Sequence, residues 1–421
     1  MNILSSSNWP AEKKVSLEEA QELVLQELEP VGECSVSLDM ALHRIISRNA
    51  YAGENIPPFD RSPLDGYALR AKDTEKASPR SPVRLRVIDA IRTGQVSARK
   101  ITAKTAIQVM TGSPVPAGAD TVIRYEDTVK NAEDIFISEP LQPKSNIIRT
   151  GEDVTRGDLI AARGSLVTPA QAALFAALGI TEIPVYDLPR VAIINTGDEL
   201  IPIDGQLVPG KIRNSNGYLL ENFCREYHVA AKVIGTAADH PASVMGHIRN
   251  GLKCADVVIT TGGVSVGEAD VVKKALALLG VEQLFWQVKM KPGSPTTVTK
   301  LDGKLIFSLS GNPAAVAVMF HLLVLPALKK LKGQERCLPE PISAVTLDGF
   351  SKASPARRFL CGKLAVIDGK ACVKLCDHQG NSIISSFVKA DVLVDIPAGS
   401  GPLAPGDQVR IIPAVNRIED L

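Results

Sequence analysis

Aromatic residues make up only 4% of the chain, ten Phe, six Tyr and two Trp. That scarcity argues against a surface for single-stranded nucleic acid, which needs exposed rings on which bases stack. Nor is one sign of charge in excess: 47 Lys and Arg stand against 46 Asp and Glu, a formal net charge of +1. A balance this even produces no global field for nucleic acid or acidic membranes, so any anion site has to be local. The seven cysteines are odd in number and scattered, with no C-x-x-C among them. No disulfide framework or zinc site is legible in such spacing, which suits the reduced thiols of the cytosol. The opening "MNILSSSNWPAEKK" lacks the apolar core of a secretory signal. The most apolar run, "PAAVAVMFHLLVLPAL" at 313–328, is short for a bilayer and interrupted by His321 and Pro326. A buried helix and a cytoplasmic protein are the expectations.

What is present is an ordinary globular balance, 45% hydrophobic and 22% charged. At 421 residues the chain exceeds what one core usually organises, so two to four domains are expected. Val15-Ser16-Leu17-Glu18-Glu19 has the form of a helix start, with Ser16 and Glu19 in capping-box spacing and Val15 as a staple. Apolar positions 17, 20, 23, 24 and 28 follow at helical intervals. "ENIPPFDRSPLDGYALRAKD" (54–73) is a loop dense in Pro, Gly and Asp, and 83–139 alternates short apolar runs with Gly/Pro turns, as a small β domain does. From about 186 to 332 strand-like runs such as "RVAIINTG", "ADVVITTGG" and "KLIFSLSGNP" alternate with helical stretches at 241–253, 269–279 and 314–331. That alternation predicts a mostly parallel sheet with helices on both faces. From about 340 short strands return, with Asp368-Gly369 as a hairpin turn.

Open α/β sheets bind ligands beyond the carboxyl ends of their strands. Four such ends carry polar loops here: "NTGDEL" (195–200), "TAADHP" (236–241), "TTGGVSVGEAD" (260–270) and "LSGNPA" (309–314). Their glycines expose backbone N–H groups, and the last two loops lead into helix N-termini, which favour anions. Asp198, Glu199, Asp239, Glu268 and Asp270 are hard oxygen ligands of the kind that join Mg²⁺ to phosphates. N-caps and turns explain such residues in any single loop. Four neighbouring ends point instead to a phosphate-bearing ligand held through a divalent cation. Lys289 and Lys291 in "WQVKMKPGSP" either hold a tetrahedral anion as point charges or are solvated edge-strand lysines.

Gly263-Val264-Ser265-Val266-Gly267 fits G-x-S-x-G, and Gly262 and Gly267 bracket four residues as in a phosphate loop. Ser265, however, lies well past the strand end near Ile259, and the histidines that follow are His321, inside an apolar helix, and His378. Glu268 stands where a phosphate loop carries its lysine. Neither a serine hydrolase nor a Walker loop is expected.

The stretches "PPFDRSPLDGYA" (57–68), "MTGSPVPAGADTVI" (110–123), "NIIRTGEDV" (146–154), "NTGDEL", "DVVITTGGVSVGEAD", "KMKPGSP", "LSGNPAAV" and "HQGNSIISS" (378–386) together resemble the molybdopterin molybdenumtransferase family, the bacterial MoeA proteins and the gephyrin E domain. They run in the family's order across nearly the whole chain. The resemblance implies an α/β plus β fold in four parts. These are an elongated helical linker domain at 1–55 with 150–185, an inserted β-rich domain at 56–149, an α/β molybdopterin-nucleotide domain at 186–334, and a C-terminal β-barrel-like domain at 335–421. It implies a homodimer whose site is shared between subunits, and a reaction that hydrolyses adenylylated molybdopterin, with Mg²⁺ and molybdate, to release AMP and molybdenum cofactor.

By position, the resemblance puts Gly262, Gly263, Ser265, Thr196, Lys289, Asn312, Pro313 and Arg357 at the substrate. It puts Glu199, Asp239 and Asp270 at the metal, and gives catalytic roles to Asp65, Asp153, Asp270 and Lys291. Some positions depart from the family's pattern: Ser294 replaces the second lysine of K-P-G-K-P, Ser310 and Ala315 alter L-P-G-N-P-V-S, and Asn381 stands in place of a serine. Cys361 replaces a later arginine, and Arg357 or Arg358 is left to compensate. Losing a positive donor weakens a doubly charged anion by roughly 1.5–3 kcal/mol per charged hydrogen bond. Three other readings stay open: a non-catalytic molybdopterin carrier or scaffold, a divergent copy handling tungstate, and a nucleotide pyrophosphatase. Other proteins of cofactor synthesis or use are further candidate partners.

Overall fold

The computed structural model describes residues 13–264 and 270–414, and the chain packs as two compact units. One takes the chain up to Ser35, His43–Ser47 and everything from Pro184 onward; the other takes Val36–Leu42 and Arg48–Ile183.

The first unit is built on a six-stranded sheet in the order Ala230–Ala237, Arg190–Thr196, Val257–Thr261, Lys304–Leu309, Thr297–Leu301, Glu282–Phe285. The first four strands are parallel and the last two run antiparallel to their neighbours. The near-continuous apolar sequences of the central strands Arg190–Thr196, Val257–Thr261 and Lys304–Leu309 reflect burial on both faces, and alternate side chains go to opposite sides. Val191, Ile193, Val257, Ile259 and Phe307 join one core with Leu220 of helix Asn216–Glu226 and Val316 of helix Pro313–Met319. Ala192, Ile194, Val258 and Ile306 join another with Val244 and Ile248 of helix Pro241–Cys254 and Leu276 of helix Val271–Leu279. The mostly parallel, doubly covered sheet is as expected.

Helix Leu17–Gln26 begins where the capping box placed it, with Ser16 Oγ accepting from Glu19 N at 3.1 Å. The helical stretch expected at 314–331 runs over Pro313–Leu331, with a π turn at Phe320–Val324. Over Pro313–Leu331 this helix is long and apolar enough to cross a membrane, but 89% of its apolar window is buried in the fold. It is a core helix. Pro326 has no N–H to give the Leu322 carbonyl four residues earlier, and Gln21 Nε2 donates to that oxygen instead at 2.7 Å.

Residues 342–413 of the same unit form a closed barrel. Strands Arg357–Ile367, Lys370–Leu375, Ile342–Thr346, Gln408–Pro413 and Val392–Ile396 follow in ring order, and the last pairs back with the first. Asp368-Gly369 makes the expected hairpin, with Ile367 paired to Lys370.

The second unit carries a mixed six-stranded sheet in the order Thr121–Arg124, Gly66–Leu69, Thr105–Val109, Val83–Ala90, Asp134–Ile137, Val129–Asn131. Apolar clusters around Leu85 and Ile107 cover its two faces. A short antiparallel pair, Ala50–Tyr51 with Leu159–Ala161, and helix Pro169–Ala177, capped by Thr168, complete the unit.

His321 sits in the π turn at 2% exposure, its ring stacked on Phe387 at 5.8 Å and edge-on to Phe223 at 4.8 Å. Neither ring nitrogen has a partner among the described residues. Burial, with Lys329 adding to it, pushes the imidazole pKa down from 6.5 to about 3. The unfolded chain therefore takes up this proton first as pH falls from 6.5 toward 3, and folded-state stability is lost across that window. In urea melts at pH 7 and pH 5, His321→Leu is expected to lose less stability between the two than the parent does. An equal loss in both proteins would remove His321 as the cause.

Candidate functional site

Parallel register sets the carboxyl ends of Arg190–Thr196, Val257–Thr261 and Lys304–Leu309 side by side. Backbone and hydroxyl groups stitch them together: Gly262 N donates to Leu309 O at 3.2 Å, and Thr196 Oγ1 donates to Thr261 O at 3.1 Å. Gly262 has φ +88°, and a Cβ there would lie 2.3 Å from Thr196 O. Only glycine fits that approach. At Gly263, φ is +66° and an added Cβ would meet Thr196 Oγ1 at 2.9 Å. Gly311 packs against Gly262 less tightly, an added Cβ standing 3.4 Å from Gly262 Cα, and Asn216 Nδ2 donates to Gly311 O at 2.9 Å. The sequence reading brought "NTGDEL", "TTGG" and "LSGNPA" to one end of the sheet, and they meet there.

Two carboxamides at this end were not singled out in the sequence. Asn195 donates through Nδ2 to Thr261 Oγ1 at 2.8 Å, yet its buried Oδ1 has no partner among the described residues. Asn216 Oδ1 is buried and has no partner among the described residues either. A buried acceptor left open costs about 1–3 kcal/mol, so each is suited to an N–H of a bound heterocycle. Asn195 opens the quoted "NTGDEL" loop, whereas Asn216 lies outside every quoted motif.

The acidic residues divide. Asp198 N donates to Asp239 Oδ2 at 3.2 Å and Asp239 N returns the bond to Asp198 Oδ1 at 3.1 Å, so two exposed carboxylates are held side by side. The Glu199 carboxylate lies against Gly197, where an added Cβ would stand 2.5 Å from Oε2. Asp270 is 2% exposed and caps helix Val271–Leu279, its Oδ1 accepting from Lys273 N at 2.7 Å. Ser265 and Glu268 lie outside the described residues. Among the described residues no three His, Cys, Asp or Glu come close enough to hold a metal by themselves. A pair of hard carboxylates without a closed cage suits Mg²⁺, which binds through one or two carboxylates plus substrate phosphates.

Asn312 and Pro313 open helix Pro313–Met319, and Asn312 Oδ1 accepts from Ser382 Oγ at 2.8 Å, tying "LSGNPA" to the barrel loop "HQGNS". Lys289 and Lys291 are exposed, and Met290–Lys291 pairs in parallel with Arg357 and Arg358. Arg357 does not offer a free guanidinium. Its Nε and Nη2 make a bidentate pair with Asp395 at 2.8 and 2.9 Å, and Nη1 binds Glu18. The Asp395 side chain is fully buried and also takes Arg410 Nη2 at 2.8 Å. Hydrogen bonding to Asp395, and then to Glu18, holds the Arg357 proton more firmly than usual. Arg358 donates to Ser354 Oγ at 3.2 Å and lies over the Phe350 ring.

The other unit gathers its own motif loops. Ser62 N donates to Ser113 O, Arg61 bridges to Pro114 and Ile148, and Gly151 N donates to Pro57 O. Asp65 Oδ1 accepts from Thr111 N at 2.7 Å and Thr111 Oγ1 at 3.0 Å, and Asp60 holds Arg149 at 2.9 Å. Asp153 is exposed on this cluster, its N–H bonded to Ile56 O.

A doubly wound nucleotide-type sheet joined to a small barrel, with a separate β-rich unit, is the architecture that comparison with known proteins now places. Family models match in succession: the MoeA N-terminal region (domain I and II) over residues 15–179, a probable molybdopterin binding domain over 192–330, and the MoeA C-terminal region (domain IV) over 343–414. A molybdopterin molybdenumtransferase of Staphylococcus aureus (strain MSSA476) is 34% identical over 398 residues, 94% of this chain and 95% of that protein. A Staphylococcus epidermidis protein of the same name is 33% identical over the same shares. The crystal structure of the molybdopterin biosynthesis MoeA protein from Pyrococcus horikosii superposes with a TM-score of 0.84 at 32% identity, covering 96% of this chain and 99% of that one. The chain belongs to the MoeA family, the molybdopterin molybdenumtransferases.

Two substitutions probe this geometry. Gly262→Ala is expected to cost about 1–3 kcal/mol, backbone strain plus the clash with Thr196. Gly210→Ala also has a positive φ, +79°, but meets nothing within 4 Å, so thermal melts should show it as the milder change. Arg357→Ala leaves buried Asp395 with Arg410 alone and is expected to cost about 3 kcal/mol, with Arg357→Lys intermediate because it loses the bidentate contact. Arg357→Ala melting like the parent would show that the pair contributes little.

Proposed function

We propose that this protein inserts molybdenum into molybdopterin: it binds adenylylated molybdopterin, accepts molybdate as co-substrate, and releases AMP and molybdenum cofactor. The observation that carries the reading is the convergence of three Gly-bearing loops and two orphaned carboxamide oxygens at the carboxyl end of the parallel strands. With the Gly262 N–H taken by Leu309 O, the loop backbone from Gly263 onward suits phosphate oxygens, and Asn195 and Asn216 suit the ring N–H groups of a nucleotide or pterin. Mg²⁺ held at the Asp198–Asp239 pair, rather than by Asp239, Glu199 and Asp270 together, would neutralise the phosphoanhydride and polarise its phosphorus. Asp270, as the cap of helix Val271–Leu279, fixes the end of the Gly-rich loop.

Exposed Lys289 and Lys291 stand as the cations for molybdate. Arg357, neutralised by Asp395 and Glu18, serves to anchor the strand beside Lys291 rather than to bind the anion. Asp65 and Asp153 complete the site in a homodimer, where the β-rich domain of one subunit serves the α/β domain of the other. The setting is cytoplasmic.

Purified protein given adenylylated molybdopterin, Mg²⁺ and molybdate is expected to release AMP in a molybdate-dependent way. No release would overturn the transferase reading, and tight nucleotide binding without release would establish a carrier. Lys291→Ala is expected to raise the molybdate concentration for half-maximal rate by about 10-fold or more, the value of one charged hydrogen bond, with nucleotide affinity unchanged.

A further inference from the structure

The barrel strands Arg357–Ile367 and Lys370–Leu375 are antiparallel, with Gly362 opposite Leu375. One step outward, the same register sets Cys361 opposite Cys376, and Cys376 N donates to Cys361 O at 3.0 Å. Directly opposed residues have their α carbons about 4.5–5.5 Å apart, inside the roughly 4.4–6.8 Å that a disulfide spans. Facing is right as well. Leu360, Leu364, Val373 and Leu375 fill the barrel, so Cys361 and Cys376 project from its other face, both against the core that includes Phe387.

The pair is also built into the motif loop. Gln379 inserts its carboxamide where the ladder would continue: Oε1 accepts from Cys361 N at 2.9 Å, and Nε2 donates to Cys361 O and Cys376 O, each at 2.8 Å. From this clamp the chain runs on to Ser382, which meets Asn312, and to Ser386, whose carbonyl receives Cys376 Sγ at 3.5 Å.

We propose that Cys361 and Cys376 are a two-thiol redox pair, closed by a small-molecule disulfide, whose closing releases the Gln379 clamp and loosens the 377–386 loop. The chemistry is an exchange. Cys376, the half-exposed member, loses its proton and its thiolate attacks one sulfur of oxidised glutathione. The glutathione S–S bond breaks, one glutathione leaves as thiolate, and a mixed disulfide stands on Cys376. Cys361 then loses its proton and attacks Cys376 Sγ, forming the Cys361–Cys376 bond and expelling the second glutathione. Two protein thiols are oxidised and one small disulfide is reduced.

Closure draws the β carbons to about 3.8 Å, which shifts the two carbonyls that Gln379 holds. Burial pushes the Cys361 thiol up to about 12 and raises Cys376 too. The pair is therefore slow at neutral pH and accelerates with rising pH. This inference concerns thiols and a loop, and stands whether or not the protein turns over molybdopterin.

The test is peptide mapping of the full chain after oxidised glutathione at about pH 8.5, near an ordinary thiol pKa, followed by alkylation. A linked pair of peptides carrying Cys361 and Cys376 is expected. Cys361→Ser should stop at the mixed disulfide on Cys376, and Cys376→Ser should leave Cys361 free. Amide exchange over 377–386 should rise in the oxidised protein and return to its starting level after dithiothreitol. Glutathione found only on exposed Cys254, with both barrel thiols still reduced, would overturn the proposal. So would a mixed disulfide on Cys376 that persists in the parent, or linkage with unchanged exchange. Mapping of the parent decides the question even if a variant folds poorly.

Discussion

The close approach of Gly262 to Thr196 is the constraint on which the nucleotide end of the sheet depends. Three parallel strands finish together, and their outgoing loops have to pass one another within van der Waals distance. A side chain at 262 would stand 2.3 Å from a carbonyl oxygen, which is possible for no residue but glycine. Once the chain turns there, Gly263 and Gly311 follow into contact, and Asn195 and Asn216 are left beside them with unsatisfied oxygens. The loops thus form a backbone surface, and their polarity comes from peptide groups more than from side chains.

Charge is organised differently in the barrel. Asp395, fully buried, collects Arg357 and Arg410, and Arg357 reaches on to Glu18 on the first helix. A buried carboxylate of this kind is held by geometry, because desolvation offsets most of the Coulombic gain. It fixes the strand to which Met290–Lys291 adds. Cations that look interchangeable in the sequence are thereby separated into a structural one, Arg357, and exposed ones, Lys289 and Lys291.

Much of this was legible beforehand because it is local. Continuous apolar runs announced the buried parallel strands, Ser16 and Glu19 marked a helix start that the backbone confirms, and Asp368-Gly369 marked a hairpin. What stayed hidden depends on residues far apart in the chain. Arg357 was read as a substrate ligand because nothing near it in sequence shows Asp395 or Glu18. Asn216 lies outside every quoted motif and joins the site only through helix Asn216–Glu226 packing on the sheet. Barrel closure, likewise, rests on Arg357–Ile367 pairing with Val392–Ile396, a partnership that no turn signal encodes. The long helix was placed at 314–331, but its apolar run was read as broken at His321 and Pro326. Gln21, some three hundred residues earlier, supplies the bond that lets it continue.

That helix has a consequence for synthesis. Pro313–Leu331 has the length and apolarity of a membrane span, so a nascent chain that left it bare would present a targeting signal. The sheet strands that cover it, carrying Val191, Ile193, Val257, Ile259 and Phe307, all precede it, as does Gln21. The sheet side of that covering surface has therefore been translated before the segment emerges, and the barrel side, with Phe387 on His321, follows it. Chain order, no less than packing, keeps this helix in the core.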